Sequence, residues 1–521
     1  MVNKKNGSTF AACLNKRSCE ALDKLMNKSL FTFLIFTAAL WIFASACRKE
    51  TVYNVSNTTL RFSADTIYLD TVFTSIGSST RILKVFNPTE ENISINRIFL
   101  GRGQSSYYRM NVNGESTKDA KNIELAAKDS LYIFIEVTAD VLGASSLLYT
   151  DSILFETGNV RQDVDLVTLA KDAYFHYPNK ILRINQPEPF PDIEIPYSIL
   201  GCNTTLASDK PHVFYGYSVV DSACTLNILA GTELHFHSNS GLWVYSGGKL
   251  FIDANEQGDY SNPVLIQGDR LEPSYENIPG QWGGLLGGIF IQSGSEAVIN
   301  NTLIKNATTA LRVDSTASAN PNITLKNVQI LNSSRVGLYC GYSNVLAENV
   351  IIANGGLYLF YALGGQYTFR HSTFANYWTS SSRSTPSVGL TNFFEDGMGT
   401  RYVRNLNKAY FGNCIIYGSG FNEIVLGIEN SGTFNYHFNS ALLRIDEEPD
   451  DAHYDINNTT FFTNCLFNQN PQFVDYINND YALDSLSPGL DIGNSNDAFL
   501  VPFDIKGISR SVAPDLGAIE R

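Results

Sequence analysis

Asn327-Val-Gln-Ile330, Asn349-Val-Ile-Ile352 and Asn413-Cys-Ile-Ile416 are one four-residue pattern repeated. It recurs at Asn301-Thr-Leu-Ile304, His371-Ser-Thr-Phe374, Asn439-Ser-Ala-Leu442 and Asn464-Cys-Leu-Phe467, with successive starts 26, 22, 22, 42, 26 and 25 residues apart. A strand-like unit returning every ~20 to 30 residues predicts a β-solenoid, because one unit cannot bury its own apolar face and stacked copies can.

Alternation within each unit sets the core. One residue after the head stand Thr302, Val328, Val350, Ser372, Cys414, Ser440 and Cys465, all small; three after it stand Ile304, Ile330, Ile352, Phe374, Ile416, Leu442 and Phe467, all large. Residues two apart share a strand face, so both columns point inward, continued by Ile299, Leu325, Ala347, Phe369, Phe411, His437 and Phe462 two before the head. The head column of Asn301, Asn327, Asn349, His371, Asn413, Asn439 and Asn464 has its own logic: Asn tolerates left-handed turns and carries both a donor and an acceptor. Stacked at the ~4.8 Å spacing of strands, such amides can bond along the axis as a ladder, which His371 interrupts.

The 521 residues are 44% hydrophobic and only 17% charged, which excludes disorder and leaves room for more than one domain. Formal net charge is −14; the first 46 residues carry six Lys or Arg against two acids, so the remainder sits at −18 and excludes a basic nucleic-acid-binding surface.

Lys28 precedes the apolar run Leu30 to Phe43 and the small-residue exit Ala44-Ser-Ala-Cys47, which reads as a secretory signal over residues 1–46, with Met26 a possible true start. A membrane anchor is the alternative, but the run is shorter than the ~20 residues a span needs. The exit resembles a bacterial lipoprotein signal. That resemblance implies lipidation of Cys47, a lipidated linker over 47–59, attachment to the membrane through the lipid, and, from Arg48-Lys-Glu50, an outer-membrane and surface-exposed destination.

Seven candidate strands between Thr66 and Leu169 predict a β-sandwich over 60–172, which resembles bacterial immunoglobulin-like spacer modules. Pro187, Pro189, Pro191 and Pro196 mark a connector over 173–197, followed by the solenoid over 198–490 and a closing segment over 491–521. Gly280-Gln-Trp-Gly-Gly-Leu285 in an early coil, with Ser487-Pro-Gly-Leu-Asp-Ile-Gly493 and Pro514-Asp-Leu-Gly-Ala-Ile-Glu520 in the tail, resembles secreted right-handed parallel β-helix proteins of the pectate-lyase-like class. The expected fold is therefore all-β: an Ig-like sandwich, then a right-handed parallel β-helix.

Several constellations could carry function. Lys326, Glu348 and Arg370 each precede a head residue and should stack outward; in some of the resembling lyases a Lys or Arg moves the proton while acids or a metal, calcium if this chain is a lyase, neutralise the uronate, and the plain alternative is a solvated charge ladder. Glu233, His235 and His237 share a face with His-x-His metal spacing, though no third ligand is evident and an exposed polar face explains them as well. Trp243 and Tyr245 point outward if Leu242 and Val244 are core, and flat rings suit sugar stacking. The step of 42 predicts an excursion over Tyr377 to Asn407, whose Arg383, Arg401 and Arg404 would rim a groove over the apolar outward column Leu303, Gln329, Ile351, Thr373, Ile415, Ala441 and Leu466. Cys202 and Cys224, one coil length apart, are candidates for a disulfide. The expected function is non-catalytic binding of glycan, host or matrix; a polysaccharide lyase and an adhesive stalk are the alternatives.

Overall fold

The structure, a computed structural model, describes residues 52–140, 148–254, 260–315, 321–445, 451–510 and 513–521. The signal segment and Cys47 lie outside them. The chain divides into two compact units, residues 1–67, 81–135 and 151–165 in one and 68–80, 136–150 and 166–521 in the other.

Ten strands between Arg61 and Lys171 form two five-stranded sheets. Strand alternation supplies their apolar residues: Leu83 and Val85, Ile93 and Ile95, and Ile133 and Ile135 are all fully or nearly fully buried. Three of the ten, Arg61–Phe62, Glu115–Thr117 and Asp119–Leu125, have too few apolar residues to be read from sequence.

From Tyr174 onward the chain winds as a parallel β-helix. The predicted connector already belongs to it, since Tyr174–His176 pairs in parallel with His212–Phe214 and Ile193–Ile199 with Tyr217–Val220. Each full coil contributes one strand to a ten-stranded sheet and two successive strands to an eighteen-stranded one. Those two successive strands are often a single bent segment. In Glu296–Lys305, residues 296–299 pair with Lys249–Ile252 and residues 302–304 with Val264–Ile266, and Asn301 stands at the bend with φ of 42°.

The left-handed bend is what selects the head residue. Asn301, Asn327, Asn349, His371, Asn413, Ser440 and Asn464 all have φ between 42° and 54°, a region that Asn enters at low cost and β-branched residues do not. The register corrects the sequence reading at one coil: Ile415 pairs with Leu442 and Gly412 with Asn439, so Ser440 holds the corner and Asn439 lies one residue before it. Phe438, not His437, therefore points inward, and Ala441 and Leu443 replace Ser440 and Leu442 in the inward columns. The slip has a physical cause in that Phe438 completes a ring stack: Phe369–Phe411, Phe411–Phe438 and Phe438–Phe462 have centroids 5.2, 4.9 and 5.6 Å apart. Burying each such side chain stabilises the coil stack by ~1.5 to 3 kcal/mol.

Amide bonds follow the corner column only in part. Asn349 Nδ2 donates to Asn327 Oδ1 at 3.0 Å, but Asn327 Nδ2 donates to Asn300 Oδ1 at 3.2 Å, and Asn301 Nδ2 to Asp253 Oδ2 at 3.3 Å. Asn413 Nδ2 meets His371 Nε2 at 2.8 Å. A second left-handed column, Asn306, Asn332 and Asn354, runs beside it. Cys202 and Cys224 are joined by a disulfide between adjacent coils, with Cα atoms 4.8 Å apart. Cys340, Cys414 and Cys465 are free thiols, and burial raises the pKa of each.

Coil stacking ends at Leu466–Phe467. The chain then turns back along the eighteen-stranded sheet, and its residues cover the outward apolar column: Tyr481, Ile505, Ala518 and Ile519 pack on Ile351 and Ala353, while Leu483 and Leu516 pack on Ile415 and Leu442. The cover predicted for the Tyr377 to Asn407 excursion is thus supplied mainly by residues 481–519, with Tyr377 the excursion's own contribution. Part of that excursion is itself stacked, since Val388–Thr391 pairs with Tyr358–Leu363 in the ten-stranded sheet, and the extra length forms a small hairpin of Phe393–Glu395 with Arg401–Val403.

Candidate functional site

The ten-stranded sheet buries Leu242, Val244, Ile289, Ile291, Leu311, Val313, Leu338 and Phe360 inward. Parity then turns the residues between them outward, and the parallel register aligns Trp243 with Phe290, Phe290 with Arg312, Arg312 with Tyr339, and Tyr339 with Tyr361. Five consecutive coils thus align rings and one guanidinium, with Phe290 itself buried between Trp243 and Arg312. Trp243 and Phe290 stack at 6.2 Å; the Arg312 guanidinium lies 4.8 Å from the Phe290 centroid and 5.8 Å from that of Tyr339; Tyr339 and Tyr361 stack at 5.8 Å with planes 8° apart. The following position is Gly389, where a Cβ would sit 2.8 Å from the Tyr361 ring, so a side chain there would displace the end of the stack.

Polar partners hold the column. Arg312 donates to Asp314 Oδ2 through Nε at 3.1 Å and Nη2 at 2.6 Å, and Trp243 Nε1 donates to Gln292 Oε1 at 3.1 Å. Burial raises the pKa of Tyr339, Tyr358 and Tyr361, so all three phenols are neutral hydrogen-bonding groups at physiological pH. Beside the column lies a hollow of about 470 Å³ whose lining includes Leu285, Arg312, Arg335, Tyr339, Tyr358 and Tyr361. Arg335 makes no ion pair among the described residues. Apolar rings with a few convergent polar groups in a hollow of this size suit a small polyhydroxylated ligand.

Other residues singled out from sequence fall elsewhere. Tyr245 is exposed beside the column, edge-on to Trp243 at 5.7 Å. Lys326, Glu348 and Arg370 do stack in register, on the eighteen-stranded sheet. Arg370 is not open to solvent as a charge ladder would be: it donates to Glu348 at 3.2 Å and to buried Asp497 at 3.1 Å, and Asp497 also accepts from Tyr410 Oη at 2.6 Å. The groove expected beside Arg370 is occupied by this latch, because Asp497 sits on the short helix Ser495–Leu500 of the closing segment. Arg383 rims nothing; it is buried in a two-pronged pair with Glu423 at 2.7 and 2.8 Å. Arg401 pairs with Glu395 and Glu429, and Arg404 lies over Phe394.

The His-x-His pair is also not an exposed face. His235 is fully buried, its nitrogens meeting Gly268 O at 3.2 Å and Glu233 Oε2 at 3.1 Å, while exposed His237 meets Asp269 at 2.7 Å. The hydrogen bond from His235 holds the Glu233 carboxyl down at about 2, assisted by Lys171, and the bond to Asp269 raises His237. Among the described residues no three His, Cys, Asp or Glu side chains are grouped to hold a metal ion.

Phe290, Arg312, Tyr339 and Tyr361 were not identified from sequence. Their signal was present as spacing, since steps of 47, 22, 27 and 22 residues from Trp243 are coil lengths or a near double, but the residue type changes along the column.

No family model matches this chain, and no curated protein matches it. Among solved structures, a glycoside hydrolase of family 123 from Clostridium perfringens, described for glycolipid glycan hydrolysis, aligns at 6% identity with a TM-score of 0.17 over 23% of this chain and 31% of that protein.

Proposed function

We propose that this chain is a bacterial cell-envelope lipoprotein, held on the outer membrane through Cys47, whose β-helix binds a glycan along the Trp243–Tyr361 column without cleaving it. The carrying observation is that column, in which five successive coils align four rings and Arg312 on one sheet face beside a half-open hollow. The partly exposed edges of Trp243, Tyr339 and Tyr361 pack on the C–H surfaces of sugar rings, and Arg312, Arg335 and the neutral tyrosines supply hydroxyl partners. The apolar run ending at Cys47 supports the anchor, and the Cys202–Cys224 disulfide suits an oxidising envelope compartment. Two of the three charges on which a lyase reading depends are engaged in the latch, where Arg370 lies between Glu348 and Asp497.

The test is to titrate the full chain with a panel of neutral and uronic-acid polysaccharides while following binding and the ultraviolet absorbance of new unsaturated ends. Binding is expected without absorbance change, weakened about three- to tenfold by Trp243→Ala or Tyr361→Ala and unmoved by Arg370→Ala. Rising absorbance that Arg370→Ala abolishes would establish the lyase instead. No binding to any polysaccharide would leave a stalk and refute the proposal.

A further inference from the structure

The closing segment covers the outward apolar column unevenly. Ile351, Ile415 and Leu442 are fully buried beneath it, but Leu303 and Gln329, two coils toward the N-terminal end, remain only half-buried. There the segment stands away from the sheet, and two adjoining hollows of about 790 and 520 Å³ open between them. They share Tyr260, Asn301, Asn327 and Phe503. We propose that this cleft, on the eighteen-stranded sheet and separate from the ring column, is a second saccharide site and takes neutral sugar units.

Three features point to that chemistry. Half-buried Leu303 and the half-exposed Phe503 ring give a floor and wall for the C–H face of a pyranose. Against them runs a directional chain of amides: Asn349 donates to Asn327 at 3.0 Å, Asn327 to Asn300 at 3.2 Å, and Asn300 to the carbonyl of Asp253 at 3.1 Å. A primary amide has two N–H groups and two lone pairs, so Asn327 satisfies the chain with one of each and has a second donor and acceptor for a vicinal diol. Charge decides the class of sugar. Asp253, Glu348 and Asp480 line the cleft against Lys326 and Lys506, a balance of −1, so the surplus of cations that an acidic glycan requires is missing from the lining. Each hollow lies within the range of about 300 to 1,000 Å³ typical of small-molecule sites.

The experiment uses the full chain carrying Trp243→Ala and Tyr361→Ala together, so that the ring column no longer contributes. Xylo-, cello-, manno- and chito-oligosaccharides are titrated by calorimetry, with oligogalacturonate as the acidic probe. At least one neutral oligosaccharide is expected to bind this double variant as it binds the parent. Adding Phe503→Ala, or filling the cleft with Gln329→Trp, is expected to weaken that binding tenfold or more, and oligogalacturonate is expected to bind at least tenfold more weakly. Each variant is compared with its parent by thermal melting, and Gln329→Ala replaces any that melts lower. Loss of all neutral binding in the double variant, binding indifferent to both cleft substitutions, or oligogalacturonate bound equally well would each overturn the assignment.

Discussion

Replacing Asn349 by Ala tests how the corner column and closing segment are tied together. The Asn349 side chain is buried and makes three bonds: Nδ2 donates to Asn327 Oδ1 at 3.0 Å and to the carbonyl of Phe503 at 2.8 Å, and Oδ1 accepts from Arg510 Nη2 at 2.8 Å. A neutral buried bond contributes ~1 kcal/mol and one to a charged donor ~1.5 to 3 kcal/mol, with orphaned partners at the upper end. Ala at φ of 53° adds ~1 kcal/mol of backbone strain that Asn and Gly escape. The expected loss is about 4.5 to 6 kcal/mol for Asn349→Ala and about 1 kcal/mol less for Asn349→Gly. Urea unfolding followed by tryptophan fluorescence isolates the β-helix, because Trp243, Trp282 and Trp378 all lie in it. Asn435 is the control; its exposed amide makes only one bond, to Asn407 O at 3.3 Å, and Asn435→Ala is expected to shift stability by less than ~0.5 kcal/mol. Asn306 is unsuitable because it accepts from Asn332 in the second left-handed column. If Asn349→Gly costs no more than Asn435→Ala, the reasoning fails.

Two further outcomes are expected. Cys47→Ser should move the protein out of the membrane fraction, and unchanged fractionation together with an unlipidated wild-type peptide would refute the anchor. Acid should destabilise the β-helix: burial, then neighbouring His212, lowers His176 to about 4, and burial lowers His212, His371 and His437, so between their unfolded pKa near 6.5 and these folded values the unfolded chain binds more protons. The contribution of these four is full above about pH 6.5 and falls toward pH 4, by up to ~3 kcal/mol from His176 alone, while His237, raised by Asp269, offsets part of the fall because its contribution is lost as pH rises; a flat profile in urea melts across that interval would contradict it, and His371→Asn should flatten it in part.

The repeat was legible because its inward residues keep size over seven coils and five of the seven corners are Asn. The fault at Asn439 shows the limit: an Asn one residue from the corner looks identical in sequence to one at it, and only pairing of Leu442 with Ile415 settles the register. The ring column was half legible. Trp243 could be turned outward by parity, but the sheet it belongs to has no recurrent residue, so Phe290, Arg312, Tyr339 and Tyr361 emerge only from register. Arg383 and Arg370 misled because a guanidinium in a loop or on an outward strand position reads as exposed, whereas Glu423 and Asp497, 40 and 127 residues further on, neutralise them. Partners at such separations leave no local trace.

The latch of the closing segment sets an order of assembly. Arg510 reaches Asn349 across 161 residues, and the amide of Ala518 donates to Thr373 across 145. Coils bind their neighbours at separations near 22 to 27 and can propagate as the chain emerges, whereas Ile351, Ile415 and Leu442 stay wet until residues 481–519 arrive. A nascent chain therefore carries a long apolar stripe on an otherwise finished sheet, and the interval before its own tail docks is when a holding chaperone, or a second unfinished copy, has the most to gain by occupying it.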